Sequence, residues 1–303
     1  MKYEQWLQNW FDYYVKPISK QRTLIKYQQQ LESYILPELG KYQLEDLSAQ
    51  TLQEFTVRLA DSGLAPNTVN SVISTLKLSL RKAVLLGVAK CQFTDAIARP
   101  KTREKKVECL TKREQRKIER LIDESARDNL YGIVLSLYTG LRLGELLALK
   151  WQDVDFAKSR ITVSKSCRDM WDEKGHRKII ETTKTQASER IIPLPKQLLP
   201  KLKEMKKKAN GDFVISGRSQ YGAQVRSYQR TFERILGRLN ITHKGFHTLR
   251  HTFATRALEV GMDVKTLSEI MGHSDPTVTL KRYAHSMFEH KTEMMNRVGK
   301  LLL

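Results

Sequence analysis

Apolar residues recur at helical spacing from the start of the chain. In EQWLQNWFDYYV, Trp6, Leu7, Trp10 and Tyr14 fall on one stripe and predict a helix. TLIKYQQQLESYILPELG predicts a second, stopped by Pro37 and Gly40. SAQTLQEFTVRLADSG opens with Ser48 as an N-cap and closes at Gly63. APNTVNSVISTLKLSLRKAVLLG carries Pro66 near its start and Gly87 at its end. Four short helices in succession predict a small all-helical domain over residues 1–92.

The periodicity breaks in CQFTDAIARPKTREKKVECL, where Pro100 precedes a cluster of charges. Residues 93–108 therefore read as an exposed linker, either solvated or crossing a DNA backbone. From 109 to 303 the pattern is mixed. TKREQRKIERLIDES is an amphipathic helix with Thr111 and Glu114 as a capping box. DNLYGIVLSLYTG is a buried helix ended by Gly140, and LRLGELLALKW a short one. RITVSKS, RKIIETT and SERIIPLP alternate and are rich in β-branched residues. They predict a small antiparallel sheet with a turn at KTQAS. Helices resume at 196–208, 223–239, 246–259 and 263–271. KLKEMKKKAN reads as a solvated helix face. The fold class is thus multidomain, α followed by α+β: a small helical domain, then a mostly helical domain with a small antiparallel sheet and a C-terminal tail.

Charge narrows the partner. The 303 residues hold 53 Lys and Arg against 33 acids, a net charge of +20. Residues 1–100 contribute +3 and residues 101–303 contribute +17. Such an excess favours a polyanion, with nucleic acid foremost. Cys91, Cys109 and Cys167 are too far apart to form a metal-binding pair or a disulfide framework. The opening MKYEQWLQNW lacks an apolar signal core, and no apolar run approaches the roughly 18 residues of a membrane span. A cytoplasmic protein without membrane contacts is expected.

Several residues could carry chemistry, and each has a plain structural alternative. Arg142 and Glu145, three apart on a helix, are either a structural ion pair or a guanidinium held ready for a phosphate. Lys184 sits in the expected turn, where most lysines are merely solvated. His247, Arg250 and His251 share a helix face. His243, His247 and His251 also stand at i, i+4 and i+8, a zinc-like ladder, but Arg250 between them would repel a dication. His273 follows Gly272 at a helix exit. Tyr283, one of 11 tyrosines, ends MGHSDPTVTLKRY, in which Asp275-Pro276 restarts a helix.

Taken together, these residues form a cationic set with one phenol and no carboxylate cluster to hold metal ions. The set suits phosphoryl transfer without metal or other cofactor. Arginines would neutralise the non-bridging oxygens, the phenol would attack phosphorus, a histidine would take its proton, and a cation would protonate the leaving oxygen.

The ordered segments TGLRLGEL, KTQASERIIPLP, HTLRHTFAT and MGHSDPTVTLKRYAH resemble the tyrosine recombinase (phage integrase) family over nearly the whole chain. The resemblance implies a core-binding domain in ILPELGKYQLEDLSAQTLQEF and its surroundings, and a catalytic domain from about 107 onward. It implies Arg142, Lys184, His247, Arg250 and His273 as catalytic residues, Tyr283 as nucleophile and Glu145 as supporting acid. It implies a 3′-phosphotyrosyl intermediate with no need for ATP, and two domains clamping double-stranded DNA. It further implies a homo-tetramer on paired sites, acting as an integrase or excisionase of a mobile element, with DNA-bending or directionality factors as further partners. Larger members carry an arm-site domain before the core-binding helices. This sequence opens on those helices, so arm-type contacts are not expected. A type IB topoisomerase shares the chemistry, and a non-catalytic DNA-binding regulator shares the charge; both stand as alternatives. The tail at 287–303, with Met287, Met294, Met295, Val298, Leu301 and Leu302, either packs on its own domain or docks on a neighbouring protomer.

Overall fold

The computed structural model describes residues 1–90, 95–102, 107–172, 175–182, 189–217, 222–273, 275–283, 292, 295, 296 and 298–301, with only the backbone at 171, 172, 175, 176, 278 and 281–283. The chain divides into two compact units, 1–105 and 106–303.

The first unit is helical. Its elements are α1 (Tyr3–Trp10), α2 (Gln21–Gln30), α3 (Leu36–Leu39), α4 (Ala49–Asp61) and α5 (Pro66–Leu85). Tyr3, Trp6, Leu7 and Trp10 are buried, and α5 lines the core with Val69, Val72, Ile73, Leu76 and Leu80. Tyr14, expected on the buried stripe, is partly exposed and Val15 is buried in its place. The cause is a wide helical turn over Phe11–Val15, closed by Lys16 N–H donating to the Phe11 carbonyl. One extra residue per turn rotates the stripe onward. Pro37 does not stop its helix. A second wide turn at Leu31–Ile35 shifts the hydrogen-bond register, so Pro37 falls in the first turn of α3, where no N–H is required. Ser48 caps α4 by accepting from Thr51 N at 3.1 Å.

The second unit holds α6 (Lys112–Asp123), α7 (Tyr131–Thr139), α8 (Leu143–Ala148), β1 (Val154–Asp155), β2 (Arg160–Val163), β3 (Lys165–Asp172), β4 (Gly175–Thr182), β5 (Arg190–Pro193), α9 (Leu199–Lys208), α10 (Val225–Arg238), α11 (His247–Glu259), α12 (Val264–Met271) and α13 (Pro276–Tyr283). Thr111 and Glu114 form the capping box of α6 reciprocally, at 2.7 and 3.1 Å. The apolar helix α7 is buried along almost its whole length and packs against α11. The strands form two antiparallel sheets: β1-β2-β5, and the hairpin β3-β4. This differs from the expected single sheet, because β5 pairs with β2 across Ile161–Ile192, while among the described residues β4 pairs with β3 alone. Ile161 and Ile192 face the core, so burial fixes that register over the nearer sequence neighbour. The 183–188 segment, with Lys184, lies outside the described residues. In the tail, Met295, Val298 and Leu301 are exposed, and Met287, Met294 and Leu302 lie outside the described residues.

Candidate functional site: three arginines on one helix end

Helices α7 and α12 end alike. Gly140 (φ 66°) and Gly272 (φ 63°) both adopt the left-handed conformation that glycine accepts without penalty. A Cβ at Gly140 would lie 2.5 Å from the Phe253 ring, and one at Gly272 would press on Arg190 at 3.0 Å. A helix C-terminus leaves carbonyls without intrahelical partners and carries partial negative charge. Here arginines supply the partners. The Ile270 carbonyl accepts from Arg190 Nε at 2.6 Å, that of Met271 from Arg250 Nη2 at 2.6 Å, and that of Gly272 from Arg142 Nη2 at 3.3 Å. Arg250 Nη1 also donates to the Gly140 carbonyl at 2.7 Å, joining the two helix ends. Arg250 is only 2% exposed, and these carbonyls are what allow its guanidinium to be buried.

Glu145 joins the arginines from the other side. It lies in the first turn of α8, where the N-terminal dipole favours a carboxylate. Its oxygens accept from the Arg142 backbone N–H (2.9 Å) and Arg142 Nη1 (2.8 Å), and from Arg190 Nη1 (3.2 Å) and Nη2 (2.8 Å). The Glu145 side chain is 3% exposed and that of Arg190 5%, whereas Arg142 keeps 36%. Burial alone would push the Glu145 carboxyl up; the Arg190 hydrogen bonds, with the charges of Arg190 and Arg142, outweigh it and hold the group below the usual glutamate range.

His273 hangs from the same turn, its backbone N–H donating to the Ser268 carbonyl at 3.0 Å. Its Nε2 is 2.9 Å from Arg250 Nη2, and its Nδ1 is 2.7 Å from Thr279 Oγ1. A guanidinium only donates, so Nε2 accepts, and the ring proton on Nδ1 is donated to Thr279. Thr279 in turn contacts Ser268 Oγ at 2.7 Å. The imidazole is thus fixed by groups on both α11 and α13.

The structure therefore gathers Arg142, Glu145, Arg250 and His273. His247 opens α11, three residues before Arg250; it is exposed, with its ring 4.6 Å edge-on from His251. The ladder of three histidines does not form, because His243 precedes α11 and stands 3.6 Å from Glu233 instead. Among the described residues no group of three His, Cys, Asp or Glu is placed to hold a metal ion. Tyr283 is the last residue of α13, four after Thr279, and its side chain lies outside the described residues, as does Lys184.

Sequence reasoning missed Arg190 and Thr279. Arg190 carried one signal: it shares the inward phase of β5 with Ile192, a position where an arginine must be paired. Sequence reasoning also missed Lys178 on β4, whose ammonium donates to the Leu147 carbonyl at the end of α8 (2.7 Å) and lies 4.4 Å from the Phe213 ring centroid. Burial pushes its pKa down.

Comparison with known proteins places this arrangement. Residues 108–290 match the model described as "Phage integrase family", and residues 2–60 match "Phage integrase, N-terminal SAM-like domain". The chain belongs to the phage integrase family. A relative named "Tyrosine recombinase XerC-like", from Caldanaerobacter subterraneus subsp. tengcongensis, is 29% identical over 98% of this chain and 82% of its own length. The "Transposase from transposon Tn916" of Enterococcus faecalis is 28% identical over 87% of this chain and 69% of its own length. The solved Tn1549 transposon integrase, in complex with a circular intermediate DNA, shares the fold with a TM-score of 0.81, at 24% identity over 98% of this chain and 99% of that one. This integrase-family chain is a site-specific tyrosine recombinase of the mobile-element type. No helix among the described residues is long and apolar enough to cross a membrane.

Proposed function

We propose that this recombinase breaks and rejoins duplex DNA through Tyr283, with Arg142 and Arg250 as the phosphate clamp and without metal or ATP. The observation that carries the reading is the convergence of Arg142, Arg250 and His273 on the end of α12, with Glu145 as the carboxylate among them. A net positive site of this kind attracts a phosphodiester and repels a dication. The Tyr283 oxygen attacks phosphorus, its proton passes to His247, and the bond to the 5′-oxygen breaks as Lys184 delivers a proton there. The phosphotyrosyl link retains the energy of the broken bond, so a 5′-hydroxyl can reverse the step. Arg142 offers a partly exposed guanidinium. Arg250 is enclosed, its guanidinium fixed beside the α12 end by the Gly140 and Met271 carbonyls and by His273.

The first unit is proposed as the core-binding domain, following its SAM-like match, and residues from about 109 as the catalytic domain, joined by a linker at 93–108. Exchange between two duplexes breaks four strands. With one nucleophile per chain, four protomers on paired sites follow. The exposed Met295, Val298 and Leu301 of the tail support docking on a neighbouring protomer.

A substrate with sulfur in place of the bridging 5′-oxygen tests the division of labour. A thiol, with a pKa of about 8.5, leaves without protonation, whereas an alkoxide does not. Lys184→Ala is expected to be slow on ordinary DNA and largely restored by sulfur. Arg250→Ala is expected to cleave about 100-fold slower on both, the scale for losing a preorganised donor. Equal rescue of the two variants would make Lys184 a phosphate contact rather than the acid.

A further inference from the structure

We infer that Arg190 is a positioning residue for the recombination site: it shares the charge of Glu145, so that this carboxylate orients Arg142 without neutralising it. The inference rests on the reading of Arg142 as a phosphate contact. Arg190 makes a two-pronged contact with Glu145, at 2.8 and 3.2 Å, and its side chain is 5% exposed. It is therefore not presented to DNA. Its third donor, Nε, is anchored on the Ile270 carbonyl at 2.6 Å, and Gly272, lacking a Cβ, lets the guanidinium lie against the turn. A fork held on three acceptors has no freedom to follow a ligand.

The charge arrangement gives Arg190 a purpose beyond packing. Glu145 receives two guanidiniums, and the trio retains one net positive charge. The solvent-facing member is Arg142, so that charge is presented where a phosphate would approach. Without Arg190, the buried carboxylate would have Arg142 as its one partner within this trio, and the pair would be neutral. A buried carboxylate draws strongly on whatever cation remains to it. Arg142 would then be held inward and its attraction for phosphate weakened. Arg190 opens β5, six residues after Lys184 in the sequence.

The test uses the full chain, with cleavage of a nicked DNA site read as covalent adduct and DNA affinity measured separately. Arg142→Ala, Arg190→Lys, Glu145→Gln and the double variant Glu145→Gln/Arg190→Met are compared. Lysine cannot serve both oxygens of Glu145 and the Ile270 carbonyl. Arg190→Lys is expected to slow cleavage about tenfold or more, within the range of directly coupled groups, with DNA affinity changed less than about threefold. Glu145→Gln should also slow cleavage, and adding Arg190→Met to it should cost less than about threefold more, because Arg190 acts through the charge already removed. The double variant replaces a buried pair with neutral groups of similar size, which keeps it folded. If Arg190→Lys cleaves at the unmodified rate, or if Arg190→Met slows the Glu145→Gln background tenfold, the inference is overturned. If instead Arg142→Ala cleaves normally, the phosphate-clamp reading itself fails.

Discussion

At the scale of single residues, Glu145 determines how the site responds to acid. Its folded-state pKa is lowered, so its stabilising contribution is complete above the ordinary glutamate value of about 4.3 and is lost as pH falls through the lowered value. Glu145→Gln lacks that titration. Urea unfolding at pH 7 should show the variant less stable by about 3 kcal/mol, the scale for breaking a buried ion pair, and the gap should shrink by pH 3. A gap independent of pH would mean that Glu145 does not titrate on unfolding. The Arg142–Glu145 pair was legible in the sequence because helix geometry puts residues three apart on one face. Arg190 was not, because its partner lies 45 residues away and only the fold brings β5 to α8. Lys184 and Tyr283 are proposed on family resemblance alone, since neither a turn lysine nor one tyrosine among 11 is distinctive.

At the scale of elements, helix ends carry the site. The caps at Ser48, Thr111 and Gly272 were readable because capping depends on a few adjacent residues. The passage of the chain through Pro37 was not, since a one-residue register shift leaves no mark on an apolar pattern. Strand pairing failed for a related reason: alternation identifies strands but not their partners. The end of α12 offers a direct test. Gly272→Ala incurs the left-handed backbone cost of about 1–2 kcal/mol and also presses on Arg190. Gly87→Ala, at φ 70° with nothing within 4 Å of a new Cβ, incurs only the backbone cost. Thermal unfolding should show Gly272→Ala as the more destabilised, and strand cleavage should fall for Gly272→Ala alone. Equal cleavage by the two variants would detach the α12 exit turn from the chemistry. Thr279→Val removes the hydroxyl that accepts from His273 Nδ1 and is expected to slow cleavage about tenfold on the same substrates, with fold stability lowered by about 1–3 kcal/mol because Ser268 and His273 lose a buried partner.

At the scale of the whole molecule, affinity and chemistry should separate. The net charge of +17 over residues 101–303 spreads phosphate attraction over many side chains, so DNA binding should fall steeply with salt and survive the loss of any one site residue. Strand breakage, in the proposed mechanism, depends instead on the single Tyr283 oxygen. The decisive measurement is covalent trapping on a nicked DNA site, in chelator and without nucleotide, with the unaltered chain beside Tyr283→Phe. The unaltered chain is expected to form a covalent protein–DNA adduct under these conditions. Tyr283→Phe is expected to bind the same DNA with near-equal affinity and to form none. A covalent adduct with Tyr283→Phe, or no adduct from the unaltered chain until metal or nucleotide is added, would contradict the account.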